Sequence, residues 1–144
     1  MSMSLYSQDC CVFCQVIRWQ KKVEILAQFD HCFVIRDQYP VSKGHLLVIS
    51  NDHIDNWFAA PIQIKSNMID VLDKMKLMLD KEYQPSGYNV GINCGKTAGQ
   101  IVMHLHLHLI SRFEGVWKIQ EGALGESSHQ NKNTDESSQY NQQL

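Results

Sequence analysis

A seven-residue run, HLHLHLI at residues 104–110, constrains the fold of this chain more than any other feature. Histidine alternates with leucine in a β-favouring segment, so on a strand the three imidazoles project from one face and the three leucines from the other. Rings two residues apart lie about 6.5–7 Å from each other, close enough to share one small anionic ligand. A solvated surface strand is the alternative, but such a face has no need of three histidines. The pattern therefore favours a strand whose leucine face packs in the core and whose histidine face binds a ligand.

Size and charge narrow the class of protein. A chain of 144 residues is long enough for one domain with a single core. A net charge of −2 and a pI near 6.4 argue against nucleic-acid binding by a broad basic face, while a small phosphorylated ligand needs only a few local donors. The N-terminus has no signal-peptide pattern and no apolar stretch approaches a membrane span, so we expect a cytoplasmic protein without membrane contact.

The order of local patterns predicts one sheet with helices. The cysteines are five, an odd count that suits reduced thiols or metal ligands better than a disulfide framework. Apolar spacing predicts a short N-terminal helix within residues 10–20 and one long helix over residues 62–82. Predicted strands cover residues 23–29, 32–36, 45–50 and 88–93, before the histidine strand. A glycine-bearing loop, residues 94–100, leads directly into that strand and can reach its ligand.

Periodicity leaves three functions open for the histidine face. Alternate histidines can supply ligands to a catalytic zinc ion. They can instead serve phosphate chemistry, in which one neutral imidazole attacks phosphorus and others hold the oxygens. They can also bind a ligand without turnover.

A loop at residues 91–97 resembles a Walker A motif, but it has three residues between its glycines where that motif needs four, and a strand follows it.

Several spaced motifs resemble the histidine-triad (HIT) superfamily, in particular its bacterial-type zinc-containing and dinucleoside polyphosphate hydrolase-like members. The similarity covers roughly residues 11 to 113. The motifs are CVFC at residues 11–14, GHLLVI at 44–49, GYNVGIN at 87–93, GQIVM at 99–103 before the triad, and Ser111-Arg112 after it. The resemblance implies an α+β fold with an antiparallel sheet of about five strands, one long helix, a short N-terminal helix and a homodimer.

The resemblance also implies the domain organisation and the ligand. Residues 1–10 would be an N-terminal extension and residues 11–119 the HIT domain, with Trp117 and Ile119 docked on its body. Residues 120–144 would be a polar, disordered tail, consistent with a composition that buries little apolar surface. The ligand would be a purine nucleotide or a nucleotide conjugate, with no nucleic acid and no membrane as partner.

Roles for individual residues follow from the same resemblance. His106 would be the nucleophile on the α-phosphate, His108 would contact the phosphate and assist the leaving group, and His104 would support the site. The expected nucleotide-binding residues are Asp37 for the ribose, Asn93, Gly99, Gln100 and Ile101 for the phosphates, and Val12, Phe13 and Val16 for the base. The activity implied is hydrolysis or transfer through a nucleotidyl-histidine intermediate, for which no catalytic metal is required.

A structural zinc site is implied by the cysteines. Family members that carry Cys-x-x-Cys bind zinc with it, and the resemblance gives Cys11, Cys14, His45 and His104 as the ligands here. Two thiolates and two imidazoles make a closed tetrahedral set. The alternative is that the cysteines are reduced and pack as small hydrophobes.

One position departs from the family pattern. Ile101 stands where the family usually carries Ser or Thr, whose hydroxyl helps to hold the phosphate. Loss of one transition-state donor costs on the order of 10²–10³ in turnover in other enzymes. The alternative function is therefore a zinc-stabilised nucleotide-binding module with little or no turnover.

Overall fold

The computed structural model describes residues 10–115, so most of the predicted N-terminal extension, the predicted docking of Trp117 and Ile119, and the tail 120–144 lie outside the described residues. The helices are α1 (Val12–Ile17) and α2 (Ile62–Tyr83), and short 3-10 helices cover Trp57–Ala59 and Lys96–Ala98. The strands are β1 (Ile25–Gln28), β2 (Cys32–Arg36), β3 (His45–Ser50), β4 (Gly87–Gly91) and β5 (His106–Arg112). The predicted α+β fold is confirmed. Within the described residues, no helix is long and apolar enough to cross a membrane.

The five strands form one antiparallel sheet in the order β1-β2-β3-β5-β4. Strand β3 is buried along its whole length, as its apolar sequence predicts for a central strand. Strand β5 lies between β3 and β4, with His106 opposite Ile49 and His108 opposite Leu47. The first six of its seven residues are buried, so the side chains on both of its faces lie inside the protein.

Each face of the sheet packs against a different helix. Helix α2 buries a stripe at helical spacing, Ile64, Met68, Val71, Met75 and Leu79, on the face that carries Leu105, Leu107 and Leu109. On the opposite face, Phe13 and Val16 of α1 form a second core cluster with residues of β2 and β3. The histidines lie on the α1 face, so the predicted division between a leucine face and a histidine face is confirmed.

The histidine run is not one continuous strand. Strand β5 begins at His106, and His104 lies in the bend before it. The bend forms because the amide of His104 donates to the carbonyl of Val102 (2.8 Å) and the amide of Leu105 donates to the carbonyl of Ile54 (2.7 Å). His104 therefore approaches the segment that follows β3, whereas His106 and His108 stay above the sheet.

Candidate active site and metal-binding cluster

The three triad histidines are buried, with exposed fractions of 0% for His104, 3% for His106 and 1% for His108. Helix α1 covers them: the ring of Phe13 lies 5.7 Å from that of His104 and 5.1 Å from that of His106. The rings of His106 and His108 are in edge contact at 5.2 Å. The solvated-strand alternative is thereby excluded.

A main-chain hydrogen bond fixes the proton on His106. Its Nδ1 lies 2.7 Å from the main-chain carbonyl oxygen of His104. A carbonyl oxygen can only accept, so in the neutral ring Nδ1 carries the proton and Nε2 keeps its lone pair. An imidazole held in this form can attack an electrophile through Nε2.

His108 carries its proton on the opposite nitrogen. The amide of Val41 donates to Nδ1 of His45 (3.2 Å), so the proton of the neutral His45 ring is on Nε2. That nitrogen lies 3.0 Å from Nδ1 of His108, and when it donates there the His108 proton is on Nε2. Nε2 of His108 is buried and has no hydrogen-bond partner among residues 10–115. It is a donor directed at whatever occupies the site.

Burial keeps these rings neutral. Desolvation lowers the pKa of His45 to about 3, helped by the charges of Arg112 and His106. Desolvation also lowers the pKa of His108 well below its ordinary value, with smaller contributions from His106 and His45. Both rings are therefore uncharged at neutral pH, which is the form that the hydrogen-bond directions require.

The predicted ribose residue, Asp37, lies at the end of β2 beside His45. Its Oδ2 is 3.3 Å from Nε2 of His45, and its Oδ1 accepts from the amide of Tyr39 (2.9 Å). Burial raises the pKa of this carboxyl to about 6, although the Tyr39 hydrogen bond acts in the opposite direction. Asp37 is thus a buried group with few donors around it.

The predicted phosphate residues occupy different positions around the triad. Gly91 of β4 pairs with His108 of the antiparallel strand β5. Asn93, two residues after Gly91, is therefore directed towards His106, two residues before His108. The Asn93 side-chain nitrogen is buried and, within residues 10–115, has no hydrogen-bond partner. Asn93 Nδ2 and His108 Nε2 are both donors without acceptors, which is the chemistry expected where an oxyanion binds.

The loop before the triad is held by Gln100 rather than left open. The side-chain oxygen Oε1 of Gln100 accepts from the main-chain amide of Gly95 (2.8 Å). Its side-chain nitrogen Nε2 donates to the main-chain carbonyls of Asp55 (2.6 Å) and Val102 (3.0 Å). The main-chain amides of Gly99 and Gln100 donate within the same loop. The side chain of Gln100 therefore shapes the loop, whereas Ile101 next to it is 45% exposed.

The predicted base-binding residues lie on α1. Phe13 and Val16 are buried against Phe33 and Leu47, and Val12 is half-buried beside them. They form the apolar cover over the histidine side of the sheet, and Phe13 and Val16 are only 1% and 2% exposed.

A second cluster contains Cys11, Cys14, His53 and His104, whose ligand atoms all lie within 4.8 Å of one another. Nδ1 of His104 is 3.3 Å from the Cys11 sulfur and 3.6 Å from the Cys14 sulfur, and Nδ1 of His53 is 3.2 Å from the Cys14 sulfur. In a tetrahedral zinc site with Zn–S about 2.3 Å and Zn–N about 2.05 Å, a sulfur and a nitrogen are about 3.5 Å apart. The four residues fit a metal ion of this kind.

The tautomer of His104 also suits a metal. Its Nε2 lies 2.7 Å from the carbonyl of Ser50, so Nε2 carries the proton and Nδ1 faces the thiols with its lone pair. All five cysteines are free thiols. The cluster can therefore bind a metal ion without rearrangement of this ring.

The structure corrects one predicted metal ligand: His45 does not approach the cysteines. His45 opens β3 and pairs with Ile110, six residues along the chain from His104, or about 20 Å in an extended strand. His53 follows the other end of β3 and completes the cluster. The sequence did hold a signal: His53 lies three residues after the end of β3 and His104 two residues before the start of β5, and antiparallel pairing places the end of one strand beside the start of the other.

Comparisons with known proteins bear on both clusters. The family model described as the HIT domain matches residues 18–115. The crystal structure of a HIT family protein from Bacillus anthracis is 35% identical, has a TM-score of 0.74 and covers 91% of each chain. A zinc-bound histidine triad family protein from Mycobacterium smegmatis is 26% identical, with a TM-score of 0.72, covering 94% of this chain and 92% of that one. An adenosine 5′-monophosphoramidase of Candida albicans is 31% identical over 110 residues, 74% of this chain and 72% of the relative.

Proposed function

The chain belongs to the HIT family, and from its triad we propose that the protein is a nucleotide hydrolase or transferase. The observation that carries this proposal is the 2.7 Å hydrogen bond from Nδ1 of His106 to the carbonyl of His104, which leaves a lone pair on Nε2. Two buried donors, on His108 and Asn93, have no acceptor within residues 10–115. A nucleophile beside donors for an oxyanion is the combination that phosphorus chemistry needs.

The proposed reaction has two steps. Nε2 of His106 attacks the α-phosphorus of a nucleotide conjugate, a P–N bond forms, and the bond to the leaving group breaks. His108, a neutral ring, donates a hydrogen bond from Nε2–H to the leaving group, and the leaving group takes its proton from solvent. Water then attacks phosphorus and gives a proton to solvent, the P–N bond breaks, His106 regains its Nε2 lone pair, and a nucleoside monophosphate is released. Because imidazole and amide N–H groups meet the charge of the phosphate, the two steps as proposed use no catalytic metal.

The proposed substrate is a dinucleoside polyphosphate or a nucleoside phosphoramidate. The relative from Candida albicans named as an adenosine 5′-monophosphoramidase supports the second class. Asp37 would bind the ribose, and the apolar residues of α1, Val12, Phe13 and Val16, would face the base. Asn93 and the loop residues Gly99, Gln100 and Ile101 would surround the phosphates, with Gln100 acting through the shape of the loop.

We propose that the bound metal is zinc, held by Cys11, Cys14, His53 and His104. The zinc-bound relative from Mycobacterium smegmatis and the donor set of two thiols and two imidazoles support this. Closed four-ligand zinc is structural, so it would fix α1 and the bend at His104 over the sheet. His104 would then serve catalysis only through its position.

A second candidate function is a nucleotide-binding module that scarcely turns over. The observation that favours it is Ile101, which is exposed at the loop and offers no hydroxyl.

We also propose a cytoplasmic homodimer. Strand β4 is an edge strand, and Val90 on it is exposed, as are Ile69 and Leu77 on α2. Sedimentation of the full chain measures this assembly.

The test is release of AMP from adenosine 5′-phosphoramidate and from diadenosine polyphosphates. Wild type should release AMP and form an acid-labile adduct on a histidine, whereas His106→Ala should do neither. His31→Ala, in the turn between β1 and β2, is the matched control and should keep the wild-type rate. Equal, slow release by wild type and His106→Ala would refute the catalytic proposal, and tight AMP binding by such a protein would favour the binding module.

A further inference from the structure

One proton is shared by two acceptors beside the triad. The ring of His45 has a proton on Nε2, because the amide of Val41 occupies Nδ1. That proton faces Nδ1 of His108 at 3.0 Å and Oδ2 of Asp37 at 3.3 Å. The side chains of His45 and Asp37 are 1% and 2% exposed, so the competition takes place inside the protein.

The same proton distinguishes this cluster from the cysteine cluster. The ligand atoms of Asp37, His45 and His108 lie within 4.8 Å of one another, as those of a metal site would. However, a ring nitrogen that carries a proton has no lone pair for a metal. His104 presents a free Nδ1 to its neighbours, whereas His45 presents N–H. The geometry therefore suits a shared proton in this cluster and a cation in the other.

The acceptor that the His45 proton chooses decides which ring nitrogen of His108 carries its proton. When His45 donates to Nδ1 of His108, the His108 proton is held on Nε2, where it can donate a hydrogen bond to a leaving group. When His45 donates to Asp37, Nδ1 of His108 loses its donor and the tautomer of His108 is no longer fixed. A donor that satisfied Asp37 from another side would remove the competition.

Resting on the proposed function, we propose that Asp37 and His45 are positioning residues through which ribose binding fixes the tautomer of His108 that donates a hydrogen bond from Nε2. Ribose hydroxyls donate to Asp37, and the His45 proton then turns wholly to Nδ1 of His108. His45 and His108 both keep their protons: Nε2–H of His108 donates a hydrogen bond to the leaving group, which takes its proton from solvent. The site thereby prefers ribonucleotides over deoxyribonucleotides in the rate of the chemical step and not only in binding.

The environment of Asp37 supports this role. Among residues 10–115, its oxygens have two donors, the Tyr39 amide on Oδ1 and the His45 ring near Oδ2. Burial raises the pKa of the carboxyl to about 6, which shows that the ionised form is poorly stabilised as it stands. Additional hydroxyl donors would stabilise that form and weaken its hold on the His45 proton.

The direct test is the tautomer of His108, read from ¹⁵N shifts of the imidazole rings in the full-length protein. The protein is saturated with AMP and, in parallel, with 2′,3′-dideoxy-AMP, so that both samples carry the same phosphate. We expect a single Nε2–H signature with AMP and a mixture of the two tautomers with the dideoxy nucleotide. Identical His108 spectra in the two complexes would overturn the inference.

The kinetic test separates the inference from ribose binding alone. With adenosine 5′-phosphoramidate and its 2′-deoxy analogue, the deoxy substrate should lower kcat about tenfold, the loss of one hydrogen bond in the transition state. In His45→Gln the two amide protons can serve both acceptors, and in Asp37→Ala the competitor is gone. Both variants should show nearly equal kcat for the two substrates.

A change in KM with equal kcat in wild type would show that Asp37 only binds the ribose, and would overturn the inference. Failure of the proposed function gives a different result, because neither substrate would then release AMP above the His106→Ala rate. In that case the ¹⁵N comparison still decides the inference, since it requires binding and no turnover.

Discussion

The carbonyl oxygen of His104 accepts a 2.7 Å hydrogen bond from Nδ1 of His106. His104 therefore contributes to two clusters at once: its ring faces the thiols of Cys11 and Cys14, and its main chain fixes the ring of His106. A disturbance of the cysteine cluster can reach His106 through His104, and also through Phe13, which lies between the two cysteines and whose ring is 5.1 Å from that of His106. Metal loss should accordingly lower the rate.

The metal ligands can be tested by a pair of histidine variants. We expect about one zinc per wild-type chain, since the cluster offers four ligands for one tetrahedral ion. His53→Ala removes a ligand and should lose most of the zinc on dialysis, measured by elemental analysis. His45→Ala is the control and should keep it, because His45 lies at the other end of β3. Zinc lost from His45→Ala and retained by His53→Ala would contradict the assignment.

Ile101 should limit turnover. Ile101→Thr introduces a hydroxyl at an exposed position beside the triad, so we expect the rate of AMP release to rise by about 10- to 100-fold. Ile101→Val has almost the same size as the Thr variant but no hydroxyl, and its rate should stay near that of wild type. An equal gain in both variants would assign the effect to the size of the side chain instead.

The buried carboxyl of Asp37 should make stability depend on pH. Its pKa is about 6 in the folded protein against 3.8 as the ordinary value, so its contribution to stability is present below 3.8 and lost as the pH rises through 6. Asp37→Asn should therefore be more stable than wild type at pH 7.5. The advantage should shrink by about 2 kcal/mol between pH 7.5 and pH 4.5.

Urea unfolding at the two pH values measures this difference. Asp70→Asn, on an exposed position of α2, is the control and should show no such change with pH. The His45 ring acts in the opposite direction, because its pKa is lowered to about 3 and its contribution is lost as the pH falls below 6.5. A wild type more stable than Asp37→Asn at pH 7.5 would mean that the contact with His45 outweighs the cost of burial.

Gly44 should not tolerate a side chain. Its φ is +71°, and a Cβ there would lie 2.7 Å from Oγ of Ser111 and 3.0 Å from side-chain carbons of Leu79 and Tyr83. Gly44→Ala should lower the free energy of unfolding by about 2–4 kcal/mol, from the left-handed backbone and the overpacking together. Adding Ser111→Ala should recover part of the loss, since it removes the nearest atom. Gly87→Ala, which meets nothing within 4 Å, should be nearly neutral.

The periodicity of apolar residues predicted the helices and strands whose burial repeats along the chain. The long helix, the central strand β3 and the opposite faces of the histidines and leucines all follow from spacing at periods of 3.6 and 2. The resemblance added the order of the motifs around the triad. Together they predict that His106 and His108 lie on one buried face, as the structure shows.

Contacts that depend on strand register were not predicted. His45 and His53 are both near β3, and only the antiparallel pairing with β5 shows that His53 meets His104 while His45 meets His108. The hydrogen bonds from the Gln100 side chain to the carbonyls of Asp55 and Val102 also depend on how the fold places these two residues. Side-chain contacts across long sequence separations need the fold itself.

Helix α1 has six residues, whereas an isolated helix needs about 12–15 to be even marginally stable in water. Its helical form must therefore come from the contacts of Phe13, Cys14 and Val16 with the sheet that lies beneath it. The sheet with α2 can form first, and α1 closes over the histidines afterwards. By the same reasoning, α1 can open by local unfolding in the metal-free protein while the sheet stays folded, so without zinc the hydrogen exchange at its amides should be faster than at those of β3 and β5.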